Sequence, residues 1–517
     1  LSFLMGIDLG TTGCKVILYD TNKKNIYRSY EEYSLSNPRA GWVEQDPGVW
    51  WDATKKSVKR ILSSSKVHPS DIEAIGLCGQ MHTHVLLDKA GRPLRPAISW
   101  MDQRSGPQVE SLKRKIGTEF IFDQTANFPT TTYTLPQLLW VRENEPETFA
   151  RTSKLLVAKD YVKFRLTGEM TTDPSEASGT LLFDVAHRRW SEELLHEVGL
   201  PKDILPELTS STDIVGKITR TTAIETGLVP GTPVISGGGD CATEAVGAGI
   251  IEEGQMVTVI GTAGVVYICT YLPRPDARFR ALCWYHAVED QWITIAVMQS
   301  TGYALKWFRD NFGREEKDLA ESRKEDVYEI LGRKAAAVPA GCEGLVFLPY
   351  LMGERSPHWD SDARGVFYGF SMHHTKAHFI RSIMEGVAYA IRENAEVIQN
   401  LGVKTKEVRA LGGGNKSKLW RQIQTDVMDR RILKVFPEEG AAWGAVILAG
   451  VGVGLYGSVP QAIKEMVKVI PGNEPDEVRH RGYNDWYKVY RQLYQRLAPV
   501  YKTTAEILRK EGINSIW

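Results

Sequence analysis

The chain has 517 residues, more than one hydrophobic core usually serves, so two large domains with a cleft between them are expected. Its 63 Lys and Arg balance 63 Asp and Glu, with no basic stripe or acidic tail, which argues against nucleic acid or an anionic membrane as the main partner and favours a small neutral substrate. No apolar run approaches the ~18 residues a spanning helix needs, the start LSFLMGIDLG lacks signal-peptide features, and six scattered cysteines without a CxxC pair read as reduced thiols, so a cytoplasmic protein is expected.

In chain order, LMGIDLGTTGCKVILYD reads as two apolar strands joined by a tight Gly/Thr turn, Gly10 to Gly13. Gly-rich turns aim backbone amides at phosphate oxygens, and threonine adds a hydroxyl. Asp8, inside the first strand, is costly to bury alone; either a Mg²⁺ ion or the neighbouring turn amides would explain it. GQMHTHVLLD (Gly79 to Asp88) and AISWMDQRS (Ala97 to Ser105) each end a strand-like run with polar groups, where α/β proteins bind ligands. Gln80, His82, Asp102 and Arg104 offer donors and acceptors for vicinal hydroxyls, and Trp100 a wall for the C–H face of a sugar.

PVISGGGDCATEAVGAG is a strand ending in three glycines and Asp240 before a helix. Asp240 is then either a helix N-cap or a general base for a hydroxyl nucleophile. After a join near GAGIIEEG, MVTVIGTAGVVYICT repeats the strand–turn–strand layout around Gly261 to Gly264, indicating two similar α/β domains in tandem. A helix is expected from Lys376 to Ile398, with Phe379, Ile383, Val387 and Ala390 on its apolar face, and terminal helices from Asp476 to Leu508. LGGGNKSKLWRQI (Leu411 to Ile423) is a glycine turn suited to lie against a purine or simply to join a strand to a helix. GVGLYG (Gly452 to Gly457) follows a helix and fails the dinucleotide context, and a P-loop is absent from the sequence.

Together DLGTTG, GQMH, WMDQRS, GGGD, GTAG, GERSPH, the GVFYG-to-Glu385 segment and GGGN resemble, in order from Gly6 to about Gly457, the FGGY carbohydrate kinases. The resemblance implies two actin-like (ribonuclease H-like) domains flanking a nucleotide and sugar cleft: residues 1–249, residues 250–457, and a helical extension over 458–517. It implies ATP and Mg²⁺, with Asp240 as catalytic base and Asp8 with Asp240 near the metal. Gly10, Thr11, Thr12 and Lys15 would hold phosphates from one side, and Gly261 with Thr262 from the other. Gly302, Gly413, Gly414 and Asn415 would line the nucleoside pocket, and Met81, His82, Trp100 and Asp102 would contact the sugar. QMH, WxDxR, Thr172 to Val185 and GERSPH are most similar to the xylulokinase branch, which implies transfer of the γ-phosphate to a primary hydroxyl of a ketopentose. Other FGGY acceptors (ribulose, gluconate, erythritol, a signalling sugar) and an actin-like ATPase without a small acceptor are the alternatives. A homodimer is compatible with the resemblance. Two positions depart from the family pattern: Gln137 stands where lysine is usual, and Thr83 where xylulokinases usually have glycine, beside the expected sugar site and able to narrow it.

Overall fold

The computed structural model describes residues 2–511. Two mixed seven-stranded sheets organise it. In the first, β1 (Phe3–Leu9), β2 (Gly13–Asp20), β3 (Ile26–Glu32), β4 (Ile72–Gly79), β5 (Ile214–Lys217) and β6 (Pro233–Ile235) lie in the order β5-β6-β4-β1-β2-β3, and Gly238–Gly239 adds a short segment on β4. In the second, β7 (Gln255–Ile260), β8 (Gly264–Thr270), β9 (Leu282–Tyr285), β10 (Trp292–Met298), β11 (Glu407–Leu411), β12 (Ile432–Phe436) and β13 (Lys468–Asn473) lie in the order β9-β10-β8-β7-β11-β12-β13.

The two sheets share a plan. β1 pairs antiparallel with β2 and parallel with β4; β7 pairs antiparallel with β8 and parallel with β11. Each Gly/Thr turn therefore closes the same hairpin in its own sheet, as the tandem motifs lead one to expect. Both faces of these sheets are covered, which is why β1, β4 and β10 read as nearly unbroken apolar runs.

Five helices bear on the site: α1 (Asp240–Gly247), α2 (Gly302–Phe312), α3 (Lys376–Gln399), α4 (Ala441–Gly452) and α5 (Glu477–Lys510). On α3, Ile383, Val387 and Ala390 are buried and Phe379 partly so. The tail is one long helix, α5, but the segment after 457 is not helical throughout, because β13 within it becomes an edge strand of the second sheet.

α4 is apolar all round and buried from Ala441 to Gly450, as a helix between two layers must be. It lies against β1 and β4 of the first sheet and against α1. Close approach makes glycine necessary there: a Cβ on Gly76 would sit 2.1 Å from the Ala445 carbonyl oxygen, and one on Gly444 would sit 1.8 Å from that of Thr243. The helix thus fastens sequence from the second half onto the sheet that carries Asp8, directly behind the start of α1. A smaller four-stranded sheet, Glu44–Gln45, Ala97–Ile98, His84–Leu87 and Lys154–Val157, presents the GQMH and WMDQRS segments.

Candidate active site

Asp240 is the first residue of α1, preceded by Gly239 in the capping position, and its Oδ1 accepts from the Cys241 backbone amide. It is not the helix N-cap. Burial and the charge of Asp8 push its carboxyl up to about 7. One helical turn on, Glu244 is raised to about 8 by burial and by the charges of Asp240 and Asp8. Asp8 itself is raised by burial, an effect that Lys15 and the Cys78 thiol partly offset. Three carboxyl groups that disfavour one another's ionisation mark a place short of positive charge.

Hard carboxylate oxygens suit Mg²⁺. Among the described residues no group of three or more His, Cys, Asp or Glu side chains is arranged as a metal cage. Mg²⁺ needs no such cage, since it commonly uses one or two carboxylates together with phosphate oxygens and water. Asp8 and Asp240 fit that use.

The first turn is braced at its ends. The Gly10 amide donates to the Gly13 carbonyl at 3.0 Å, the Tyr33 amide donates to the Thr12 carbonyl at 3.0 Å, and the Tyr33 hydroxyl donates to the Gly10 carbonyl. Thr12 is exposed at the tip. The second turn repeats the brace, with the Gly261 amide on the Ala263 carbonyl at 3.0 Å and Thr262 exposed. Gly302 lies under that second turn: its amide donates to the Gly261 carbonyl at 2.8 Å, and a Cβ there would stand 2.3 Å from the same oxygen. Gly413 faces open space, whereas a Cβ on Gly414 would strike the Ile260 side chain at 2.2 Å. Lys15 is ion-paired with Glu439.

On the acceptor side, His82 is 7 % exposed and adopts a left-handed backbone (φ 69°). Its Nδ1 lies 2.6 Å from the Gly179 carbonyl, an acceptor, so Nδ1 carries the proton and Nε2 is left as an acceptor. Burial, against that hydrogen bond, lowers its pKa to about 4. The ring meets Tyr133 and Trp284 edge-on at 5.2 and 5.5 Å. Met81 is buried against Gly179 and Gly239. The Trp100 indole, partly exposed, has the Arg355 guanidinium over its face at 5.1 Å, and Arg355 also donates to the Thr132 hydroxyl at 2.8 Å. Burial lowers the Arg355 pKa to about 10.

Five expectations require correction. Gln80 is 1 % exposed, its amide donating to Gln45 and accepting from the Thr83 hydroxyl, so it is not a free sugar ligand. Asp102 and Arg104 are not free sugar ligands: both side chains are 0 % exposed and ion-paired at 2.8 Å, the other Asp102 contacts being the Val43 and Arg104 amides. Arg104 also reaches Glu44 at 2.7 Å and lies 3.8 Å from the Trp42 ring, so the pair fastens the loop beneath Trp100. Asn415 turns its amide inward, to the Leu411 and Thr258 carbonyls and to Gln424, and so shapes the glycine turn without offering that group to a nucleotide. Thr83 is 0 % exposed and does not narrow a pocket, its hydroxyl being engaged with Gln80 and the Trp100 amide.

The same topology brings in residues that the motif reading passed over: Gln45, Tyr133, Cys241, Glu244, Trp284, Arg355 and Glu439. Glu244, four residues after Asp240 on one helix, was readable from spacing alone. Arg355 lies within the quoted GERSPH run.

Comparison with known proteins agrees with this architecture. Residues 3–247 match the N-terminal domain, and residues 256–453 the C-terminal domain, of the FGGY family of carbohydrate kinases. The chain belongs to that family. It is 36 % identical over 494 residues to the xylulose kinase of Bacillus subtilis (strain 168), covering 96 % of this chain and 97 % of the relative. It is 34 % identical over 504 residues to the xylulose kinase of Escherichia coli (strain K12), covering 96 % and 99 %. The crystal structure of xylulose kinase from Rhodospirillum rubrum superposes with a TM-score of 0.86 at 30 % identity, covering 97 % of this chain and all of that one. As an FGGY kinase the chain uses ATP as phosphoryl donor and a sugar or related polyol as acceptor. No helix among the described residues is long and apolar enough to cross a membrane.

Proposed function

We propose that this chain transfers the γ-phosphoryl group of ATP to the primary hydroxyl of D-xylulose, giving D-xylulose 5-phosphate. The observation that carries this reading is Asp240: a carboxyl group raised to about 7, at the start of α1, with Asp8 beside it and the sugar-facing Met81 packed on Gly239. A base poised near neutral pH accepts a hydroxyl proton with the best balance of availability and strength.

Asp240 takes the proton as the sugar oxygen attacks phosphorus in line. His82 Nε2 accepts a second sugar hydroxyl, and the Trp100 face covers C–H groups. The exposed tips at Thr12 and Thr262 supply amides and hydroxyls to the phosphates, so positioning and electrostatics carry most of the rate. Asp8 and Asp240 would hold Mg²⁺, which would supply charge neutralisation on the phosphate oxygens. Closing the cleft excludes water, a competing nucleophile. The six cysteines are unpaired and five are buried, which suits a reducing, cytoplasmic setting.

The test is coupled ADP release from MgATP with D-xylulose, D-ribulose, L-ribulose, glycerol and gluconate offered separately. Strong stimulation by D-xylulose with weak turnover in its absence is expected. Stimulation by another acceptor alone reassigns the sugar, and turnover indifferent to every acceptor overturns the kinase reading for this site.

A further inference from the structure

Five residues drawn from the first Gly/Thr turn, the small sheet and the GQMH and WMDQRS segments form a closed hydrogen-bonded ring. The Trp100 backbone amide donates to the Thr83 hydroxyl at 3.1 Å, and that hydroxyl donates to Gln80 Oε1 at 3.3 Å. Gln80 Nε2 donates to Gln45 Oε1 at 2.8 Å, and Gln45 Nε2 donates to the Thr11 carbonyl at 2.7 Å. The Trp100 indole Nε1 then donates to the Thr11 hydroxyl at 3.0 Å, which closes the ring.

Its direction is fixed by its ends. The Trp100 amide only donates and the Thr11 carbonyl only accepts, so every amide between them has one allowed orientation. Position 83 must accept from one neighbour and donate to the next. A hydroxyl does both; an aliphatic side chain does neither. Gln45 and Thr83 are 0 % exposed and Gln80 is 1 % exposed, so water cannot substitute for a missing member. Donors running head to tail also polarise one another.

The ring joins two places with different ligands. Trp100 forms the sugar wall, and Thr11 lies in the first phosphate turn. With Trp100 donating to it, the Thr11 hydroxyl keeps its own proton to offer a phosphate oxygen.

We infer that Thr83 is a positioning residue whose hydroxyl completes a rigid ring, through Gln80, Gln45, Thr11 and Trp100, that couples acceptor binding at Trp100 to phosphate binding at Thr11. This rests on the proposed acceptor, D-xylulose. Both ligands bias one connected unit, so each favours the geometry the other needs.

The experiment is calorimetric titration of the full chain with a non-hydrolysable MgATP analogue, with and without saturating D-xylulose. In the wild type the sugar should tighten nucleotide binding about tenfold, within the usual range for coupled sites. Thr83→Val, which keeps shape and loses the hydroxyl, should reduce that factor to below about twofold, and Thr83→Ser should restore it. Gln45→Met opens the ring elsewhere and should match Thr83→Val, so the outcome does not depend on one variant folding. Retained coupling in both ring-opening variants overturns the inference and leaves the kinase assignment standing. A wild type in which D-xylulose stimulates ADP release without changing nucleotide affinity does the same. A wild type with no response to D-xylulose in either assay overturns the assigned sugar and the coupling built on it.

Discussion

Lys15, on the strand that leaves the first phosphate turn, is ion-paired with Glu439, which lies just before α4 in the second half of the chain. Glu439 also pairs with Arg28, and although burial works to raise its pKa, the two cations hold it below its ordinary value. If Lys15 meets ATP phosphates, it must first leave this carboxylate. Glu439→Gln is therefore expected to lower KM for ATP by about twofold to fivefold, the value of a partly exposed pair. Initial rates at low ionic strength, where the pair is least screened, give the clearest reading. An unchanged or raised KM would show that Lys15 is not held back by this contact.

Asp240 must be ionised to accept a proton, so kcat/KM for MgATP, which reports the free enzyme before any metal is bound, should fall as pH drops below about 7, with the slope of a single group. Asp8→Asn removes the charge that opposes that ionisation and should move the acid limb to lower pH whatever it costs in turnover. Asp240→Asn should lower turnover at least ~100-fold with the fold intact. The stability sign runs the other way. With its pKa raised in the fold, Asp240 binds more protons folded than unfolded between its ordinary value of 3.8 and about 7, so it destabilises the protein increasingly across that window. Asp240→Asn should then raise Tm more at pH 8 than at pH 4.5. Equal melting shifts at both pH values would contradict the raised pKa.

The parts of this site that were legible in the sequence are those in which local pattern and chemistry coincide. Short apolar runs around GTTG and GTAG could form only tight hairpins, and their repetition implied the two matching sheets. Three glycines before Asp240 implied a strand end opening into a helix. Polarity near those strand ends was a poorer guide, because a buried ion pair and a polar pocket use the same residue types. Asp102 and Arg104 belong to the first kind, and what decides it is Glu44, which is 58 and 60 residues distant in the chain and 2.7 Å away in space from Arg104. Gln45 and Glu439 were silent for the same reason: their partners Gln80 and Lys15 come from other segments, brought together only once both sheets are assembled.

Arg104 supplies a direct test of that distinction. Arg104→Ala would leave Asp102 buried without a cation, while Glu44 keeps Arg95, a loss of about 3–5 kcal/mol in unfolding free energy by analogy with other broken buried pairs. Urea unfolding measures it. The folded fraction should keep a near-normal KM for the sugar, since the guanidinium faces Glu44 and Trp42. A large rise in KM with stability unchanged would instead return Arg104 to the sugar site.

His82 is the remaining acceptor-side group whose role follows from its tautomer. With Nδ1–H committed to Gly179 and a pKa of about 4, it is neutral across the physiological range and presents Nε2 as a lone-pair acceptor. His82 should accordingly add no titration of its own to sugar affinity between pH 5.5 and pH 8, so the pH dependence of D-xylulose binding, set by Asp240 and Glu244, should be the same in the wild type and in a His82 variant, as titration calorimetry at several pH values checks. His82→Asn tolerates the left-handed backbone at this position better than alanine and removes the Nε2 acceptor, so KM should rise about threefold to tenfold, the value of one hydrogen bond. A binding transition near pH 6.5 in the wild type, absent from His82→Asn, would mean that the imidazole gains a proton in that range and donates to the sugar from Nε2, Nδ1–H staying on Gly179.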